Sequence, residues 1–175
     1  MTATPTTNLG FLTVLHEPSG YLGGYLVTNL WGRPLEFRLS TAVQPNRVQQ
    51  ILYAGTLQTY ICGDLIGKTL VEKTTAPVQL VFTDTEAALD LRLSLEVPVV
   101  WVPPPERAAA APLLEGQGRA VRANVRTHAR FPQDERAVQE ALERSQGLVD
   151  LAEPFARIRE AIGEARKLGV ASRAS

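Results

Sequence analysis

Residues 78–102, VQLVFTDTEAALDLRLSLEVPVVWV, constrain this chain more than any other stretch. VQLVF is an apolar run, as expected of a strand covered on both faces. TEAALDLRLSLEV follows, with Ala87, Ala88, Leu91 and Leu95 on one helical side, and Thr83 or Asp84 is positioned to cap it. VPVVWV is a second buried strand. Strand, helix, strand in this order predicts two parallel strands joined by a right-handed crossover. A chain that contains such a unit needs a sheet with both faces covered.

The N-terminal part supplies more strands. After a polar segment at 1–8, expected to be disordered, GFLTVLHE and YLGGYLVTN flank the turn EPSG, and NLWGRP leads into PLEFRLS. In the last of these, Leu35, Phe37 and Leu39 alternate with Glu36 and Arg38, so one face is buried and the other solvated. Short turns between three such segments predict an antiparallel meander. Gly23 and Gly24 inside the second strand mark either a bulge or a close approach by another part of the backbone.

A long helix is expected from Pro45 onward, through NRVQQILYAGTLQTYICGDLIGKTLVEK. Gly55, Thr59, Gly63 and Gly67 fall four apart on one stripe. Each interior glycine costs roughly 0.8–1.0 kcal/mol against alanine, so bulk is excluded there, by packing on the sheet or by a helix–helix seam between copies. Residues 9–102 thus form an α/β core with a mixed sheet. Residues 103–118 are a Pro/Ala/Gly-rich linker, and 119–170 hold a basic strand or helix and then two amphipathic helices, at about 133–145 and about 149–168.

The order β-β-β-α-β-α-β over residues 9–102 resembles the ribonuclease H-like fold. That resemblance implies carboxylates on the first strand and at the end of the fourth, holding two divalent ions such as Mg or Mn. Asp84 stands where the second acid is wanted. The first strand has no aspartate inside it and offers only Glu17 at its end, beside His16. Glu36 and Asp64 lie on other elements, so the acid set is incomplete and no metal site is assigned.

Other candidates are weighed on their own chemistry. His16 and Glu17 make a solvated corner or a proton-transfer pair, and a Cys62, His16, Glu17 triad needs a geometry that spacing cannot supply. Cys62 sits among apolar neighbours and reads as a small buried hydrophobe. Trp31 and Arg33, with Asn29 in the same turn, are the residue types most enriched at interface centres if they are exposed together; alternatively Trp31 folds back over the core. Arg119, Arg122, Arg126 and Arg130 form a basic stripe able to meet phosphate, or a solvated face balanced by nearby acids.

Eighteen Lys and Arg balance eighteen Asp and Glu, so a global basic field for nucleic acid is absent. A lone cysteine allows no intrachain disulfide, which agrees with a cytoplasmic setting. No apolar run reaches membrane-spanning length, and no membrane partner is expected. With no complete catalytic set, the expectation is a non-catalytic subunit or adaptor. It would meet another protein, or a second copy, through the small-residue stripe or the helical tail. The alternative is a nucleic-acid-binding factor or metal-dependent nuclease, and a small-molecule sensor at the ends of the parallel strands near Asp84 and Val102 is a third option.

Overall fold

The computed structural model describes residues 7–104, 125–145 and 150–168. They form a mixed α/β fold around one six-stranded mixed sheet, ordered β3-β2-β1-β4-β5-β6. Strand β1 (Asn8–Glu17) pairs antiparallel with β2 (Gly20–Asn29), and β2 with β3 (Pro34–Leu39). On its other side β1 runs parallel to β4 (Leu80–Thr83), and β4 parallel to β5 (Val99–Trp101). A two-residue strand, β6 (Arg126–Thr127), closes that edge antiparallel to β5.

Two apolar clusters cover the two faces. Leu9, Phe11, Leu22, Leu26, Leu80, Phe82, Val100 and Val102 pack against helices α4 (Asp134–Arg144) and α5 (Glu153–Lys167), through Val138, Leu142, Phe155, Ile158 and Ile162. Leu12, Tyr25, Val27, Val81 and Val99 pack on the other side against Ile61, Cys62, Ile66, Leu70 and Leu91. This explains the unbroken apolar runs: successive residues of β1 and β4 bury on opposite faces, and both faces are roofed. The tail helices are therefore one layer of the core.

Gly23 and Gly24 mark a close approach on both sides at once. The pairing of β1 with β2 runs through them without a break, and the only irregularity in β2 lies at Val27/Thr28, against β3. A Cβ on Gly24 would lie 2.6 Å from Ile158 Cγ2 of α5, and one on Gly23 would lie 2.2 Å from Ile66 Cγ2 on the opposite face.

The long helix expected after Pro45 is broken. Helix α1 (Arg47–Tyr53) opens on a full capping box between Asn46 and Gln49. It ends at Ala54, whose φ of 45° and ψ of −121° take the chain out of helical space. A 3-10 turn (Ala54–Thr56), α2 (Leu57–Thr59), a π-helical stretch (Tyr60–Gly67) and α3 (Lys68–Lys73) follow. In the π stretch the Lys68 N–H reaches back five residues to Gly63 O. Along that stretch Gly63 lies against the backbone of Leu91, and Gly67 against Leu12 and Leu91. Those two glycines are consumed by packing within the chain, whereas Gly55 faces open space.

The bridge between β4 and β5 also differs from expectation. It winds as a 3-10 helix (Glu86–Ser94) with no side-chain cap. Thr83 Oγ1 accepts instead from the Thr85 N–H, and Asp84 is drawn elsewhere. Asn8 belongs to β1 and is tied to Gln79 and Pro77, so this residue of the segment expected to be disordered is part of the sheet. From 105 onward the linker expected at 103–118 lies outside the described residues, as does the start of the basic segment up to 124. No helix among the described residues is long and apolar enough to cross a membrane.

Candidate functional site

The parallel strands β1 and β4 end side by side. The register that sets Leu12 beside Thr83 puts Thr13, and not an acid, next to Asp84. Asp84 follows directly on the last residue of β4, with its side chain only 6% exposed and paired to Arg159 of α5. Burial raises its carboxyl above the ordinary range, and the Arg159 guanidinium pulls it partly back. Two turns along the same helix, Arg166 pairs with Glu17 at the end of β1. The two acids that the ribonuclease H-like resemblance singles out are thus brought to one sheet face and each is neutralised by an arginine of α5. Sequence reasoning missed both arginines. Their signal was positional: they flank the apolar stripe Phe155, Ile158, Ile162, so the core itself carries them onto the strand ends.

The remaining acids go elsewhere. Glu36 accepts from Thr75 N, Thr75 Oγ1, Ala76 N and Arg38 Nε. These bonds, led by the Thr75 hydroxyl, hold its carboxyl below the ordinary value. Asp64 is exposed on the π stretch. Among the described residues no three His, Cys, Asp or Glu converge to hold a metal ion. The donor set does not fit a pair of divalent ions, because its two best-placed carboxylates already carry guanidinium partners.

His16 and Glu17 do not act as a pair, since neighbouring strand residues point to opposite faces. His16 stacks on Tyr21 with ring centroids 4.0 Å apart, while Glu17 meets Arg166. Cys62 is 1% exposed and burial pushes its thiol up to about 12, so a thiolate does not form near neutrality and the Cys-His-Glu triad has no nucleophile.

The basic stripe is only partly described. Arg119 and Arg122 lie outside the described residues. Arg126, on β6, lies over the Trp101 ring and pairs with Glu86, and Arg130 is exposed beyond the strand. A second basic group, Arg92, is largely buried. Its Nε donates to Asp134 Oδ2 at 2.7 Å and its guanidinium covers the Phe131 ring, which fastens the start of α4 to the 3-10 bridge.

The turn between β2 and β3 is built around Asn29. Its Oδ1 accepts from the Trp31 and Arg33 N–H groups, and Gly32 takes a φ of 80° that favours glycine. Asn29 therefore shapes the turn, while Trp31 is 71% exposed and does not fold over the core. Arg157 of α5 donates to Gly32 O and holds the turn against the helix. Between them lies a cleft of about 250 Å³, floored by Leu9 and Phe11 and rimmed by Trp31, Asp150 and Glu153.

The exposed large apolar side chains are concentrated in one part of the sequence. Six of the eight among the described residues lie between positions 31 and 52: Trp31, Leu35, Phe37, Val48, Ile51 and Leu52. They occupy the turn before β3, the edge strand β3 itself and helix α1, which buries none of its residues. No family model, curated protein or solved structure matches the chain.

Proposed function

We propose that the chain is a non-catalytic subunit or adaptor that works through protein–protein contacts. The carrying observation is the concentration of exposed apolar residues in 31–52. Helix α1 is the sharpest part. It has a complete capping box, yet Val48, Ile51 and Leu52 turn one continuous apolar side to solvent. A seven-residue helix is marginal by itself, and an apolar side at i, i+3, i+4 spacing suits a groove on another protein. Trp31 and Arg33 offer a second contact at the turn before β3, at the other end of that strand from α1. The expected partner is a protein with an apolar groove, in the cytoplasm.

The test is affinity capture from the source cells with the wild-type chain and with Ile51→Asp plus Leu52→Asp, a pair of changes at solvent-facing positions. A stoichiometric protein retained by the wild type and lost by the variant supports the reading. If both chains retain the same proteins, or the wild type retains none, the reading is wrong.

The strand order also supports a ribonuclease H-like core, in which three antiparallel strands precede parallel ones. A nucleic-acid-binding factor or nuclease on that core would use Asp84, with Arg126 and Arg130 along the strand. Against it weigh the ion pairs of Asp84 and Glu17. Binding of DNA or RNA at low salt, with Mn-dependent cleavage abolished by Asp84→Asn, would favour the nuclease over the adaptor.

A further inference from the structure

We infer that the outer edge of β3 is a self-association seam, in which β3 of a second copy of this chain pairs antiparallel with it, centred on Phe37. This deepens the contact reading above by naming one partner, a second copy, for one part of the exposed region; α1 remains free for another protein.

β3 is the terminal strand of the sheet, with no described segment beyond it. The Ser40 N–H donates to Gly23 O. Because hydrogen-bonded and non-bonded pairs alternate in an antiparallel ladder, Arg38 and Glu36 also aim their backbone groups at β2. The N–H and C=O of Phe37 and Leu39 then point outward. A second β3 fits these groups only in registers that oppose odd positions to odd positions.

Charge selects among those registers. Pairing centred on Phe37 sets Glu36 opposite the second copy's Arg38, and Arg38 opposite the second copy's Glu36. Pairing centred on Arg38 would oppose two arginines. Opposite charges across strands stabilise and like charges destabilise. Arg38 keeps its terminal nitrogens for this: its side chain is 40% exposed and only its Nε is committed to Glu36 of the same chain, whose carboxylate is 17% exposed and also accepts from Thr75 and Ala76, so the second copy's Arg38 meets it as a further donor. On the other sheet face the same register brings the two Phe37 rings together, covering side chains that are 38% exposed in a single copy. Edge charges commonly guard a sheet against foreign strands. Here they repel a like-charged or misregistered strand and match a copy of themselves. The irregularity that leaves Leu35 unpaired between Pro34 and Glu36 ends the regular ladder at that point. The seam is short, and the dimer is expected to depend on concentration.

The test joins sedimentation with site-directed crosslinking on the full chain. The wild type should pass from monomer to dimer as concentration rises, and Arg38→Glu, which opposes glutamates twice, should weaken that association about tenfold or more. Phe37→Cys should crosslink under mild oxidation, because a hydrogen-bonded pair has Cα atoms about 5.5 Å apart, within disulfide reach. Leu35→Cys should not, since the two copies of position 35 stand about 13 Å apart along the ladder. The native Cys62 is buried and gives no background. A monomer at millimolar concentration overturns the inference. So does a dimer that is indifferent to Arg38→Glu and fails to crosslink at position 37, or one abolished only by Ile51→Asp with Leu52→Asp. Partner capture without a dimer would sink this inference alone, and a dimer that captures nothing would sink the wider adaptor reading alone.

Discussion

Replacing Gly24 by alanine tests how the two halves of the chain are joined. The added Cβ would stand 2.6 Å from Ile158 Cγ2 and 3.2 Å from Ile162 Cδ1. Carbon atoms pack best at about 3.5–4.0 Å, so α5 must shift by nearly an ångström or Ile158 must leave its rotamer. Ile158 is stiff, because a β-branched side chain in a helix has one strongly preferred χ1. Overpacking of this kind typically costs about 1–3 kcal/mol. Removing a glycine from a strand returns about 0.5–1 kcal/mol. A contact as short as 2.6 Å belongs to the upper half of the overpacking range, so the expected net loss is about 1–2.5 kcal/mol, read as a lower denaturant midpoint with an unchanged slope. Ile158→Leu moves the branch away from Cβ and should recover at least about 0.5 kcal/mol of that loss in a double-mutant cycle. Gly23→Ala clashes with Ile66 on the opposite face, so Ile158→Leu should leave it uncorrected. A Gly24→Ala chain as stable as the wild type, or one that Ile158→Leu does not relieve, would refute the close seating of α5 on β2.

Asp84→Asn should gain stability relative to the wild type as pH rises from about 3 to 7. Burial raises the folded-state pKa of Asp84, so the wild-type stability tied to this group is full below its unfolded value and declines as pH climbs through the folded one; paired denaturation at both pH values checks the sign, and a flat or reversed difference contradicts it. Asp134→Ala should cost about 3–5 kcal/mol, because it strands the largely buried Arg92, and Arg92→Met with Asp134→Leu should regain most of that on thermal melting. Cys62 should resist thiol reagents in the folded chain and react only on unfolding; stoichiometric labelling of the native protein at neutral pH would show its burial to be wrong.

The mixed α/β class was legible because its signals are local. Apolar runs marked β4 and β5, and alternation marked β3, each within a few residues, although Leu35 and Phe37, on the face expected to be buried, are exposed at the sheet edge. Gly23–Gly24 was legible only as a bulge or a close approach by other backbone; the approach is by side chains, Ile66 on one face and Ile158 on the other, and strand alternation alone does not say which helix lies over each face. The break after Tyr53 was hidden. Helical spacing continues across Ala54, and nothing local distinguishes a π turn at 60–67 from an α-helix with the same residues. Gly63 and Gly67 on that stretch lie against Leu91 and Leu12, which are distant in sequence. Asp84 misled for the same reason. A threonine or aspartate before a helix ordinarily caps it, and only tertiary structure brings Arg159 to compete for the carboxylate.

The partition of charge and apolar surface bears on what the molecule can do. Its best-placed acids are bound to α5, a helix that cannot leave, because Phe155, Ile158 and Ile162 are each 3% exposed or less and sit over Gly24 and the strands. Freeing Asp84 or Glu17 for a ligand would mean breaking an ion pair while the helix stays in place. The region 31–52 lies at the other extreme. Its exposed apolar side chains are held on a capped helix and a paired strand and leave 38–75% of their surface to solvent. Contact with another chain could use that surface without disturbing the core, whereas chemistry at the strand ends would have to displace two guanidinium groups first.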